Sequence, residues 1–248
     1  MKVLRLLPLL LLLACQQPRA LRIAVAANLS LPLQELAAAY EAQTGLPVEV
    51  ITASSGVLTA QIRQGAPFDL FLSANMKYPQ ALAAEGLTSG TPEVLAYGQL
   101  IAWSRDSLPG NDLMAYIRDL PAGGRVAIAN PELAPYGRAA LSWLEQEGLD
   151  AALSSRLVFG ENIGQVNRYI YARAVDLAFT AVSARTAPEL QSLGLWHPLP
   201  AAAGGGIPHG ICRLRAAQPG SEALEAFLQS EAARAVLARY GYGLPATE

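Results

Sequence analysis

Four places in this 248-residue chain put a small polar or aromatic side chain where an apolar run gives way to a helix-forming stretch. They are Asn28–Ser30, Ser54–Gly56, Pro135–Gly137 and Asn162–Gly164. The first turn of a helix carries main-chain N–H groups without intrahelical partners, and that end of the helix bears about +0.5 charge. Such an end binds anions. Four of them around one point would supply about +2, enough for a dianion. The hydroxyls of Ser55 and Tyr136 and the amide of Asn28 would add donors. No Lys or Arg is required, although Arg138 lies close in sequence. Fixed neutral dipoles select by cavity size and donor geometry, not by charge alone. Any one of these junctions taken singly reads as an ordinary helix cap. Ligand chemistry rests on their joint occurrence.

Other chemistry has less to stand on. Ser54-Ser55-Gly56 offers hydroxyls but no G-x-S-x-G elbow. His197 and His209 lie in Pro-flanked stretches with no acidic partner nearby, and both read as surface or loop-packing residues. No phosphate-binding Gly motif follows a strand, and Gly204-Gly205-Gly206 reads as a loop. Two Cys and two His exclude a disulfide framework and a Cys/His metal cluster, and the acidic residues lack calcium-loop spacing. A net charge of −2 gives no basic field for nucleic acid.

The elements that would position the four junctions alternate. Ile23–Ala27 suits a buried strand, and Leu33, Leu36, Ala37 and Tyr40 then fall on one helical face. Asn28 or Ser30 would cap that helix and Gly45 would end it. Further strands are expected at Leu46–Thr52, Phe68–Ser73, Gly98–Ser104, Arg125–Ala129, Leu157–Phe159, Val175–Thr180 and Ile207–Leu214. Helices are expected between them, from Gly137 after the Pro-rich loop and over Ser183–Leu193, and a single long one over Ser221–Arg239. Strand–helix alternation implies mostly parallel sheets flanked by helices, an α/β fold. Two blocks are visible, 21–97 and 98–206. The N-terminus has Lys2 and Arg5 before the apolar stretch Leu6–Ala14, the pattern of an export signal over 1–14. Leu12-Leu13-Ala14-Cys15 resembles a bacterial lipobox. It implies lipidation of Cys15, a tether over 15–20 and an exported protein held to a membrane by acyl chains rather than by a helix. Cys212 would be a small buried hydrophobe.

At these same junctions the chain resembles the periplasmic molybdate-binding proteins of ABC importers. The resemblance is carried by A-A-N-L-S at Ala26–Ser30, S-S-G at Ser54–Gly56, G-A-P-F-D-L-F-L-S-A at Gly65–Ala74, N-P-E-L-A-P-Y-G at Asn130–Gly137, G-E-N-I at Gly160–Ile163 and R-Y-G-Y-G-L at Arg239–Leu244. It implies a two-lobed periplasmic-binding-protein fold of type II. Lobe one would be 21–97 with 207–248, lobe two 98–206, and the ligand would sit between them. It implies a monomeric, non-enzymatic binder of molybdate, and of tungstate, that needs no cofactor and serves an ABC permease. The oxyanion would be held by Asn28, Ser55, Tyr136 and, through its main chain, Ile163, with no residue ligating the metal directly. The best-known branch has Ser at the Asn28 position, Ala at the Tyr136 position and a ligand Tyr where Ala181 stands. The donor pattern therefore does not carry over unchanged. Sulfate or another tetrahedral oxyanion, a ligand-sensing module, or an enzyme on the same fold are the alternatives.

Overall fold

The computed structural model describes residues 19–108, 112–199 and 206–246. Cys15 and the export signal lie outside these, as does most of the triple-glycine loop.

Two five-stranded sheets form, each covered by helices on both faces. The first runs in the order β2 (Val48–Ala53), β1 (Leu21–Ala26), β3 (Leu70–Ser73), β10 (Ile207–Arg213), β4 (Glu93–Gly98). The second runs β7 (Leu157–Gly160), β6 (Val126–Ala129), β8 (Leu177–Ala181), β5 (Leu100–Ser104), β9 (Leu195–Pro198). Strand alternation divides each core in two. Ile23, Val25, Leu70 and Leu72 face the helices α1 (Ser30–Thr44), α8 (Ser221–Leu228) and α9 (Glu231–Arg239). Ala24, Phe71 and Cys212 face the other way, toward Leu58 and Ile62 of α2 (Ser55–Arg63) and Leu82 of α3 (Lys77–Ala84). In the second sheet Ala127, Ala129 and Ala178 meet Val166 and Ile170 of α7 (Ile163–Tyr171). Val126, Ile128 and Phe179 meet Ile117 of α4 (Leu113–Arg118) and Ala140 and Leu144 of α5 (Pro135–Gln146), beside Leu153 of the short α6 (Asp150–Leu153).

Each sheet contains one reversed strand. β10 runs antiparallel to both β3 and β4, and β5 runs antiparallel to both β8 and β9. These are the first strands after each passage between lobes, β4 to β5 through the single residue Gln99, and β9 to β10. The other strands point their carboxyl ends at the interlobe cleft. A strand that begins at the cleft must run away from it. The start of β10 therefore lies at the cleft, and this brings His209 there.

Several local expectations change. An additional strand, β4, ends at Gly98, with Leu95 and Ala96 packed in the first core, and β5 begins only at Leu100. The long C-terminal helix is two, since the Ser230 hydroxyl accepts from the Ala233 N–H and starts a new helix there. Val182–Thr186 is a short 3-10 turn, not the start of a helix to Leu193. Gly45 does end α1 in the left-handed conformation, with φ of 71°. Cys212 is buried, and burial pushes its thiol up to about 12.

The buried Asp69 carboxylate ties β1 to the segment that leads into α8. It accepts from the main-chain N–H of Arg22 at 2.8 Å, the main-chain N–H of Gln218 at 2.8 Å and the Gln218 amide at 3.0 Å. Asp69→Ala would strand two main-chain donors in the protein. It should cost on the order of 3 kcal/mol in a urea melt while leaving ligand affinity unchanged.

Candidate functional site

The cleft ends of both sheets contribute helix starts, and each start is built so that N–H groups stay free. Ser54 caps α2 by accepting from Val57 N at 3.4 Å, so the next residue, Ser55, is the first of the helix. Its hydroxyl accepts from the Ala74 N–H at 3.0 Å, which leaves its own proton free to donate. Asn162 caps α7 by accepting from Gln165 N at 3.1 Å, and Ile163 follows. Helix α5 has no side-chain cap and starts at Pro135, two residues before Gly137. Pro135 has no N–H, so Tyr136 supplies the first one. A side chain at Gly137 would run into the Ala129 carbonyl of β6, so this helix presses unusually close to its strand.

The structure brings Asn28, Ser55, Tyr136 and Ile163 to the wall of one small cavity, with Ala26, Ala74 and Ala134 between them. No Lys, Arg, His, Asp or Glu lines it. Among the described residues no protein acceptor meets the main-chain N–H of Ser55, Tyr136 or Ile163. The Tyr136 hydroxyl is buried and has no hydrogen-bond partner in the protein. Burial, reinforced by the neighbouring Tyr242, raises its pKa well above the ordinary phenol value, so it stays a donor at any physiological pH. Ala181, at the end of β8, is fully buried and offers no side-chain donor. A pocket walled by N–H and O–H donors, without acid or base, can hold an anion but has no group for moving a proton.

Asn28 differs from its expected role as a cap. The N-terminal cap of α1 is Leu29, and no side chain bonds there. The Asn28 amide nitrogen instead faces His209 Nε2 at 2.6 Å and the Tyr242 hydroxyl at 3.0 Å. Both amide hydrogens are thereby committed inside the protein. What Asn28 keeps for the cavity is its main chain, in the turn Ala27–Leu29. His209, Tyr242 and Ser183 complete this cluster; of the three, only His209 is weighed from the sequence, and there it is set aside. His209 is fully buried, contrary to the expectation of loop packing.

The lobes touch on both sides of the cavity. Gly56 N–H donates to the Leu133 carbonyl at 2.8 Å, and the Ser183 hydroxyl donates to the Asn28 carbonyl at 2.9 Å. These contacts describe a closed form.

The profile of the bacterial extracellular solute-binding proteins matches residues 21–243. The chain belongs to that family. Its expected two-lobed α/β architecture is the one observed, and as a solute-binding protein it is a binding component and not an enzyme. Among its relatives, the molybdate-binding protein ModA of Azotobacter vinelandii is 33% identical over 237 residues, which cover 94% of each chain. ModA of Rhodobacter capsulatus is 36% identical over 162 residues, 64% of this chain and 63% of that one. The solved structure of the Azotobacter vinelandii periplasmic molybdate-binding protein superposes with a TM-score of 0.83 at 29% identity, over 91% of this chain and all of that one. This is a ModA-like solute-binding protein. No helix among its described residues is long and apolar enough to cross a membrane.

Proposed function

We propose that this solute-binding protein captures molybdate, and tungstate with it, outside the cytoplasmic membrane and hands it to an ABC permease. Asn28 and Ile163 would serve through the main chain, and Ser55 and Tyr136 through both N–H and hydroxyl. The observation that carries this reading is one small cavity without a charged residue, walled by Ser55, Tyr136 and Ile163, whose main-chain N–H groups have no acceptor among the described residues. Buried N–H groups without an acceptor are costly, and a dianionic oxygen cage supplies acceptors on every side. The ModA relatives favour molybdate as that cage. Export and lipid anchoring through Cys15 are part of the proposal, resting on the charged start, apolar stretch and lipobox-like tetrapeptide of the N-terminus. Delivery is to a permease with which the protein, as a monomer, would dock in the closed form.

Calorimetric titration against molybdate, tungstate, sulfate and phosphate tests it. Saturable heat with one ion per chain is expected for the first two alone. Heat with sulfate only would overturn the assignment in favour of a smaller oxyanion.

A further inference from the structure

Behind the cavity lies a buried circuit of hydrogen bonds whose directions follow from His209, with the Tyr242 hydroxyl alone having a second, longer acceptor in the Ser183 hydroxyl at 3.3 Å. His209 Nδ1 faces the carbonyl of Ile207 at 2.8 Å. A carbonyl only accepts, so Nδ1 carries the ring proton and Nε2 is bare. Nε2 then accepts from the Asn28 amide at 2.6 Å. The second amide hydrogen goes to the Tyr242 oxygen at 3.0 Å, and the Tyr242 O–H donates at 2.7 Å to the main-chain carbonyl of Asn28 itself. Ser183 from the second lobe donates to the same carbonyl at 2.9 Å. The Ile207 carbonyl thus sets the direction of the whole circuit, and the circuit fixes the turn that carries the Asn28 N–H.

The ring stays neutral for physical reasons. Burial pulls its pKa down to about 4, with the Ile207 carbonyl opposing the shift. The titratable groups facing it are the phenols of Tyr136 on α5 and Tyr242 in the C-terminal segment, whose rings lie edge-on at 5.8 and 5.4 Å. Both phenols are pushed up by burial and are uncharged at pH 7. Among the described residues no carboxylate bonds to the imidazole. The ring also backs the site directly. A side chain at Gly98, the last residue of β4, would run into both the Tyr136 hydroxyl and His209.

We propose that His209 is a positioning residue of the oxyanion site: as the Nδ1–H tautomer it orients Asn28 and so aims the turn after β1 at the ligand. This rests on the molybdate reading and deepens it, since it assigns a role to a side chain that does not touch the ion.

The test uses the full chain and its His209→Leu, His209→Gln, Asn28→Ala and His209→Leu/Asn28→Ala variants, titrated with molybdate. The wild type is also observed by 15N NMR of its two histidines. His209→Leu should bind roughly tenfold to a hundredfold more weakly, because a buried donor loses its acceptor. His209→Gln should recover most of that, since its amide oxygen can accept from Asn28. The leucine substitution should add nothing once Asn28 is alanine, and the spectrum should show the Nδ1–H tautomer. Equal affinity of wild type and His209→Leu, an equal loss in the Asn28→Ala background, or an Nε2–H tautomer would each overturn the proposal. If His209→Leu fails to fold, the glutamine variant and the spectrum decide. Wild type without molybdate heat would sink the parent reading instead, and the tautomer would still judge the circuit.

Discussion

Gly56→Val should weaken molybdate binding about a hundredfold or more, a loss of roughly 3 kcal/mol, without lowering the melting temperature of the free protein. A side chain at Gly56 would lie 2.9 Å from the Leu133 carbonyl oxygen and 3.0 Å from both Leu133 Cα and the Tyr78 hydroxyl. Two of those atoms are main chain in the opposite lobe and cannot step aside as a flexible side chain can. Gly56 also donates across the cleft to that carbonyl. A branched side chain there separates α2 from the loop leading into α5. The Ser55 and Tyr136 donors then no longer converge. Each lobe has its own core and keeps it. The substitution therefore acts on the closed state alone, and a ligand that needs that state binds in proportion to its population. Calorimetry beside a thermal melt checks both halves. Undiminished affinity would mean that closure at this seam is not required.

The second large effect comes from the two hydroxyls, and their signatures differ. Tyr136→Phe and Ser55→Ala should each cost about 1.5–3 kcal/mol of binding, the worth of a hydrogen bond to a charged group. Removing the Tyr136 hydroxyl takes away a group with no partner in the protein, so the ligand-free melt should not fall. Removing the Ser55 hydroxyl strands the buried Ala74 N–H, so that melt should fall by about 1–2 kcal/mol of stability. The pair of variants thus separates a residue that serves the ligand from one that also serves the lobe. Tyr136→Phe with full affinity would remove the phenol from the site.

Much of this site was legible because it is local. A short polar residue between a strand and a helix marks a free N–H wherever it occurs, and Ser55 needed only its neighbour Ser54 as a cap. The junction at Asn162–Gly164 was local too, whereas the choice of Ile163 within it came from the family resemblance. Tyr136 was legible from the Pro-rich loop before it. Asn28 was placed at the cavity but misread as a cap. Its partners His209 and Tyr242 are 181 and 214 residues away, and nothing in local spacing links them. They meet because β10 starts at the cleft, a fact of topology. The same limit hid β4, whose sequence Glu93–Gly98 lacks strict apolar alternation and whose partner β10 lies far along the chain. The break at Ser230 escaped because the apolar stripe on both sides reads as one helix. Only the capping bond to Ala233 divides it.

A cavity without cations in a chain of net charge −2 also says something about the surroundings it suits. The net charge gives the chain as a whole no long-range attraction for a dianion. Dissolved salt therefore screens a faint repulsion and not an attraction, and the rate of capture should rise slightly with ionic strength. Once the ion is enclosed its grip is short-range, beyond the reach of the ionic atmosphere. Such a receptor would scavenge as well in brine as in fresh water.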